Sequence, residues 1–171
     1  MKILYAIQGT GNGHLARAFD IYPALCRYGT VDILVSGIQG DLSLPFPVKY
    51  KLYGLSFIFG KKGGIDKWAT FKKAKFGRLI FDIFKLPVND YDLIINDFEA
   101  VSAWACKLKK KKCISLSHQS AVLHPNAPKT KKNDLLGASI LKYYAPVSSS
   151  FGFHFTAFGQ NIFTPIIRKQ V

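Results

Sequence analysis

A glycine-rich run that ends in a histidine is the feature of this chain with the clearest potential for chemistry. The run follows the apolar stretch 3–7 and reads Gly9-Thr10-Gly11-Asn12-Gly13-His14. A buried strand that opens through such a turn into a helix leaves the first backbone N–H groups of that helix free to bind an anion or a sugar hydroxyl. Glycine also lets the backbone take positive φ and approach a ligand closely. We therefore expect residues 9–13 to bind substrate.

The histidine that closes the run is a candidate general base. His14 falls in the first turn of the predicted helix, where the helix dipole disfavours the protonated imidazole. A neutral ring at this place can accept a proton from a substrate. The alternative interpretation is that the glycines only form a tight strand-to-helix turn and that His14 caps the helix.

Two better-known phosphate-binding loops do not match this run. The dinucleotide fingerprint G-x-G-x-x-G requires a glycine where the chain has His14, and the second predicted strand ends at Ser36-Gly37 without a carboxylate for a ribose hydroxyl. The P-loop requires Gly-Lys-Ser/Thr where the chain has Gly13-His14-Leu15. The sequence therefore indicates neither a nicotinamide cofactor nor nucleoside triphosphate hydrolysis, and we expect no cofactor.

Polar side chains also follow two later predicted strands. Asp97 and Glu99 come at the end of one strand, and His118 and Gln119 follow the next. Ligands of open parallel sheets lie over the carboxyl ends of the strands, so we expect these four side chains and His14 to converge on one crevice. Asp97 or Glu99 would be an alternative base or would orient His14. Asp97 could instead cap the helix that follows it.

Strand-like and helix-like segments alternate along the chain, which is typical of an α/β protein. Strands are indicated at 3–7, 31–35, 48–52, 92–97, 113–117, 151–158 and 162–167, with 48–52 as an exposed or edge strand. Helices are indicated at 14–27, 100–109 and 133–144, and an apolar stripe from Ile65 to Phe84 predicts another helix, facing the core. We expect a Rossmann-like, doubly wound, mostly parallel sheet flanked by helices.

The charge of the chain points to an anionic partner. Lys and Arg number 24 against 10 Asp and Glu, which gives a net charge of +14. Such an excess attracts nucleic acid, an anionic membrane surface or a phosphorylated substrate. No nucleic-acid recognition motif occurs, so nucleic acid is the least favoured of these partners. Aromatic residues beside a basic loop suit a membrane interface, and the expected contacts are Lys61, Lys62, Trp68 and Phe71.

Export and membrane insertion are not indicated. The N-terminus lacks the basic, apolar and small-residue pattern of a signal sequence, and no run of about 18 apolar residues occurs. We therefore expect a cytoplasmic location. Cys26, Cys106 and Cys113 form no C-x-x-C pair, so neither a disulfide framework nor a zinc site is indicated, and the thiols are predicted to pack in the interior.

Three motifs resemble the N-terminal domain of GT-B glycosyltransferases, in particular family 28. The glycine-rich run is similar to that family's Gly-Gly-Thr-Gly-Gly-His, with Gln8 before the first glycine and Asn12 in place of another. Segment 118–122, His-Gln-Ser-Ala-Val, is similar to the family's His-Glu-Gln-Asn-Ala-Val without the glutamate. Segment 164–168, Thr-Pro-Ile-Ile-Arg, is similar to the Asn-Pro-Val-Arg stretch at which such enzymes leave the N-terminal domain.

The resemblance implies a function for each part of the chain. Residues 1–164 would form an acceptor-binding domain and residues 165–171 the start of an interdomain linker, with the C-terminal, donor-binding domain outside the chain. The implied reaction is inverting transfer of a hexosyl group from a nucleotide sugar to a lipid-linked or glycan acceptor, with His14 as the base. Alone, the chain would lack transferase activity.

No metal is expected in this reaction, since the chain lacks the D-x-D pair of the other main glycosyltransferase fold and Asp97-Phe98-Glu99 only loosely resembles it. A cytoplasmic protein bound peripherally to the inner face of the membrane would fit a lipid-linked acceptor. The rival interpretations are a non-catalytic Rossmann-like binding module and a basic nucleic-acid-binding domain.

Overall fold

A computed structural model of the chain describes residues 1–37, 40–55, 75–128 and 135–166. Within these residues, seven strands form one sheet in the order β3-β2-β1-β4-β5-β6-β7, and every neighbouring pair is parallel. The strands are β1 (Lys2–Gln8), β2 (Thr30–Ser36), β3 (Val48–Leu52), β4 (Leu93–Asp97), β5 (Ile114–Ser117), β6 (Ser149–Phe153) and β7 (Ile162–Phe163). The sheet is therefore entirely parallel, where the sequence predicted a mostly parallel one.

Helices connect these strands. The described residues form α1 (Asn12–Cys26), α2 (Phe76–Lys85), α3 (Ala100–Leu108), α4 (His118–Val122) and α5 (Leu135–Tyr144), with a short 3₁₀ turn at Val88–Asp90. The predicted Rossmann-like α/β fold is confirmed. As predicted, β3 lies at an edge, whereas β6 and β7 are shorter than the segments expected from the sequence.

Helices cover both faces of the sheet, which explains why the central strands are almost continuously apolar. On one face, α1 packs Leu15, Ala18 and Ile21 against β1 and β2. On the other face, buried residues of α2 and α3 such as Ile83 and Val101 pack against the same strands. The interior therefore consists of two apolar layers with β1 and β4 between them.

The helix α2 differs from the sequence expectation. Its apolar stripe was predicted to face the core, yet Phe76, Ile80 and Phe84 are 45%, 54% and 63% exposed. Ile83 is buried and Leu79 is partly buried against the core. One side of a helix packed on a sheet covers only part of its circumference, and the apolar residues of α2 extend beyond that part. The earlier part of the predicted stripe, including Ile65 and Trp68, lies outside the described residues.

The cysteines differ in environment. Cys106 and Cys113 are buried in the core as predicted, but Cys26 is exposed. The prediction was wrong for Cys26 because this residue ends α1, where Arg27 and Tyr28 are also exposed to solvent. No helix among the described residues combines the length and apolar character needed to cross a bilayer.

Candidate active site

The order of the strands reverses between β1 and β4, and two of the predicted site residues meet there. Neighbouring strands pair Ile7 with Asp97, the last residue of β4. The loop after β1 leads into α1, which begins at Asn12 and has no side-chain cap at its N-terminus. His14 stands in the first turn of α1, above the sheet. In open α/β sheets, such a reversal point is where ligands bind.

His14 and Asp97 form a hydrogen-bonded pair. The distance from Nδ1 of His14 to Oδ1 of Asp97 is 2.8 Å, and the carboxylate is fully buried while His14 is 16% exposed. A carboxylate accepts hydrogen bonds, so Nδ1–H of the imidazole donates and Nε2 keeps its lone pair. The amide Nε2 of Gln119 lies 3.4 Å from that imidazole Nε2, as expected for a donor facing an acceptor. The tautomer that results is the one a general base requires.

Arg17 completes this pair and was not identified from the sequence. Its Nη2 lies 2.7 Å and 2.9 Å from the two carboxylate oxygens of Asp97, and its Nε donates to Oδ2 at 3.0 Å. Nη2 also lies 2.9 Å from Nδ1 of His14, but both groups are donors, so they share Asp97 as their acceptor. The sequence signal that could have identified Arg17 is its position three residues after His14, because this spacing places both side chains on one face of α1.

Phe98 separates the two acidic residues of this segment. Its φ is +57°, in the left-handed region that non-glycine residues rarely adopt, at a cost of the order of 1 kcal/mol. The ring lies between the imidazole of His14, with centroids 6.4 Å apart, and the ring of Tyr144, 4.6 Å away. Phe98 therefore forms a wall of the crevice, and its backbone conformation turns the chain from β4 towards α3.

Glu99 does not join His14, contrary to expectation. Its side chain is fully buried and caps α3 by accepting hydrogen bonds from the backbone N–H groups of Val101 at 2.7 Å and Ser102 at 2.6 Å. The hydroxyl of Ser36 donates to the same carboxylate at 2.6 Å. Burial raises the pKa of Glu99, although these hydrogen bonds oppose the rise. The capping role that the sequence suggested for Asp97 belongs to Glu99, because Glu99 directly precedes the first residue of α3.

Replacing Glu99 with alanine is expected to lower the free energy of unfolding by about 2–3 kcal/mol, because it removes a helix cap and leaves buried N–H groups unpaired. Chemical denaturation monitored by circular dichroism measures this loss. Asp41→Ala is the matched control, since Asp41 is exposed and its removal should change stability by less than about 0.5 kcal/mol. Equal stability of Glu99→Ala and the wild type would contradict the capping role.

The glycines of the run differ in part from the sequence expectation. None of Gly9, Gly11 and Gly13 has positive φ, so that part of the prediction was wrong. A Cβ on Gly9 would lie 2.8 Å from Cγ1 of Val35, so glycine is required here for packing against β2. Around Gly11 and Gly13 a Cβ would meet nothing within 4 Å, which leaves open space beside the start of α1.

The polar side chains of the glycine-rich run form hydrogen bonds with neighbouring segments. The hydroxyl of Thr10 is hydrogen-bonded to the side-chain amide of Gln8. Oδ1 of Asn12 accepts hydrogen bonds from the backbone N–H groups of Asp41 at 3.0 Å and Leu42 at 3.2 Å. Both side chains therefore fix the shape of the crevice, and their predicted contact with substrate stays a prediction.

The two residues predicted after β5 point in different directions. Gln119 reaches His14, as described above. His118 instead donates from Nδ1 to the backbone carbonyl of Phe153 at 2.9 Å, and its ring stacks on His154 at 6.3 Å. The structure thus brings His14, Asp97 and Gln119 together, but not His118 or Glu99. The expected membrane contacts Lys61, Lys62, Trp68 and Phe71 lie outside the described residues.

A doubly wound parallel sheet with a histidine–aspartate pair at its reversal point defines a Rossmann-like domain with a candidate acid–base site, and this fold is consistent with one half of a GT-B protein. The family model described as "Glycosyl transferase family 1" matches residues 1–171, and the chain belongs to this glycosyltransferase family. No curated protein matches the chain.

Proposed function

We propose that residues 1–164 form the acceptor-binding half of a GT-B glycosyltransferase and that residues 165–171 begin the linker to a donor-binding domain. The reaction is inverting transfer of a hexosyl group from a nucleotide sugar to a lipid-linked or glycan acceptor. The observation that carries the proposal is the His14–Asp97 pair, whose Nδ1–Oδ1 hydrogen bond at the sheet reversal leaves Nε2 of the imidazole as an acceptor. The family membership and the family 28-like motifs support it.

The proposed mechanism uses His14 as the general base. Its Nε2 takes the proton of the acceptor hydroxyl while that oxygen attacks the anomeric carbon of the donor sugar. The bond from the anomeric carbon to the diphosphate oxygen breaks, and the electron pair leaves with the diphosphate. Attack from the opposite face inverts the anomeric configuration. Asp97 holds the ring and stabilises the imidazolium that forms, and Arg17 keeps Asp97 in place.

The start of α1 supports the binding of an oxygen-rich ligand. The helix lacks a side-chain cap and an acidic residue in its first turn, and open space lies beside Gly11 and Gly13. Its first N–H groups are therefore suited to phosphate oxygens or sugar hydroxyls. The acidic residues of this segment support a metal-independent reaction, because Asp97 is bound to Arg17 and His14 while Glu99 is buried as a helix cap.

A transfer assay tests this function. A two-domain enzyme that contains the chain is supplied with UDP-hexoses and candidate acceptors, and the anomeric configuration of the product is read by proton NMR. Inverted product whose formation depends on His14 supports the proposal. A retained configuration, or transfer that does not depend on His14, contradicts it.

We also propose that an anionic membrane surface is a partner. The exposed face of α2 carries the aromatic side chains of Phe76, Phe81 and Phe84, and Nζ of Lys85 lies 5.4 Å from the centroid of the Phe81 ring. Exposed rings beside cations suit the headgroup region of an anionic bilayer. The net charge of +14 supports the same partner.

The protein is expected to cosediment with phosphatidylglycerol vesicles and to lose binding as salt rises, because the attraction is partly electrostatic. Phe81→Ser with Phe84→Ser should weaken sedimentation, as should Trp68→Ser with Phe71→Ser. Tyr28→Ser is the control, since Tyr28 is 70% exposed but belongs to the turn after α1. Equal binding to neutral vesicles, or tighter binding to nucleic acid at the same salt, would contradict this partner.

A further inference from the structure

A cavity of about 270 Å³ opens beside the His14–Asp97 pair, between α3, α4 and α5. Gln119 and Phe98 line this cavity and also neighbour His14, so the cavity shares two residues with the candidate active site. Its volume lies near the lower end of the range of small-molecule pockets, which suits a ligand with a single ring. Neither the sequence motifs nor the mechanism above assigns a role to it.

The polar groups that line the cavity favour a ligand with hydroxyl groups. Oε1 of Gln119 is buried and has no hydrogen-bond partner among the described residues. A buried carbonyl oxygen without a donor is unfavourable, and a ligand hydroxyl would satisfy it. The hydroxyls of Ser115 and Ser120 lie 2.5 Å apart and line the same wall. Hydroxyls of this kind rotate to donate or to accept, as binding of sugar hydroxyls requires.

The charged side chains around the cavity favour an anionic ligand. Lys107 and Lys142 are the cations of its lining, and no acidic residue lines it within the described part of the chain. Nζ of Lys107 lies 4.9 Å from the centroid of the Trp104 ring, and Nζ of Lys142 lies 5.6 Å from that of Tyr143. Neither lysine forms a salt bridge with a described carboxylate. Both ammonium groups are therefore available to bind a phosphate at the opening of the cavity.

The remaining walls of the cavity are apolar. They come from the side chains of Leu123, Leu141, Pro146 and Val147. The C–H face of a sugar ring packs well on such a surface, while its hydroxyls reach the polar wall. Apolar walls, hydroxyl partners and cations are therefore combined in one pocket.

We propose that this cavity binds a glycosyl phosphate, with the sugar ring between Gln119 and the apolar wall and the phosphate between Lys107 and Lys142. The inference rests on the proposed function and names the acceptor class of that same site. A ring hydroxyl bonded to Oε1 of Gln119 is separated from Nε2 of His14 only by the side-chain amide of Gln119. The phosphate belongs either to a free sugar phosphate or to the headgroup of a phosphoglycolipid.

Tryptophan fluorescence tests this proposal in the 171-residue chain. The chain has two tryptophans, so the Trp68→Phe substitution leaves Trp104 as the fluorescent reporter. The centroid of the Trp104 ring lies 4.9 Å from Nζ of Lys107. Glucose 1-phosphate should change this fluorescence saturably and bind at least tenfold more tightly than glucose or inorganic phosphate.

Lys107→Ala with Lys142→Ala should weaken binding about tenfold or more, because both phosphate contacts are lost. Gln119→Ala should also weaken it. The control Lys51→Ala with Arg27→Ala removes two exposed cations elsewhere and should leave binding unchanged.

Vesicles distinguish the two sources of the phosphate. If the headgroup of a lipid is the ligand, phosphatidylglycerol vesicles that contain polyprenyl phosphoglucose bind more tightly than phosphatidylglycerol vesicles of equal charge, and the difference disappears in the Lys107→Ala, Lys142→Ala variant. If a soluble sugar phosphate is the ligand, only glucose 1-phosphate shows this dependence on the two lysines. Absence of both effects overturns the inference, as does equal binding of inorganic phosphate and glucose 1-phosphate.

The His14→Ala variant separates this inference from the proposed function. It should bind glucose 1-phosphate as the wild type does, because His14 does not line the cavity. Transfer that depends on His14 but not on Lys107, Lys142 or Gln119 would overturn the cavity assignment and leave the proposed function intact.

Discussion

Replacing His14 with alanine in a two-domain enzyme that contains this chain is expected to lower turnover about a hundredfold or more, the usual cost of losing a general base. The acceptor hydroxyl would then lose its proton to water, which is neither positioned nor oriented for the task. The hydrogen bond from Nδ1 of His14 to Asp97 at 2.8 Å is the structural basis of this expectation, since it leaves Nε2 as the acceptor. Initial rates at saturating donor and acceptor measure the effect.

Two further variants make this result specific. Asp97→Asn should also lower turnover, because an asparagine amide can present a donor to Nδ1 and favour the wrong imidazole tautomer. His154→Ala is the matched control, since His154 packs against His118 and not against His14. Its turnover should equal that of the wild type. Unchanged turnover in a folded His14→Ala variant would leave His14 as a residue that only shapes the start of α1.

The chain by itself is expected to show no detectable glycosyl transfer. Under the proposed division of labour, a second domain holds most of the nucleotide sugar, so the anomeric carbon and the leaving diphosphate are not held in line with the acceptor hydroxyl. Positioning of reactants alone can contribute about 7–11 kcal/mol to catalysis. A sensitive radiochemical assay with UDP-hexoses measures the residual rate, and calorimetry should show little affinity for the nucleotide sugar.

The absence of glycosyl transfer tests the proposal only if the chain is folded in the assay. The two apolar layers of the sheet predict cooperative unfolding of a monomer or weak dimer. Denaturation and analytical ultracentrifugation check this state. Turnover by the folded chain, or micromolar binding of a nucleotide sugar to it, would mean that the donor and acceptor halves have been assigned the wrong way round.

The local pattern of the sequence was sufficient for the fold and for half of the site. Alternating strand and helix signals predicted the parallel α/β sheet, because periodicity and turn residues act over a few positions of the chain. The general rule that ligands gather at the carboxyl ends of parallel strands then placed His14, Asp97 and Gln119 together, although 83 positions separate the first two.

Tertiary structure alone decided how each polar side chain is used. Arg17 binds Asp97, Glu99 caps α3, and His118 bonds to the end of β6. The spacing of Arg17 and His14 places them on one face of α1, but it does not indicate Asp97 as their shared partner. The partners of Arg17 and His118 lie 80 and 35 positions away, so these contacts depend on which strand folding places beside each residue. The cap by Glu99 depends on where α3 begins. The sequence by itself determined which groups could act at this edge of the sheet. Packing determined which of them face the crevice, since each carboxylate and imidazole bonds to the partner that folding places beside it.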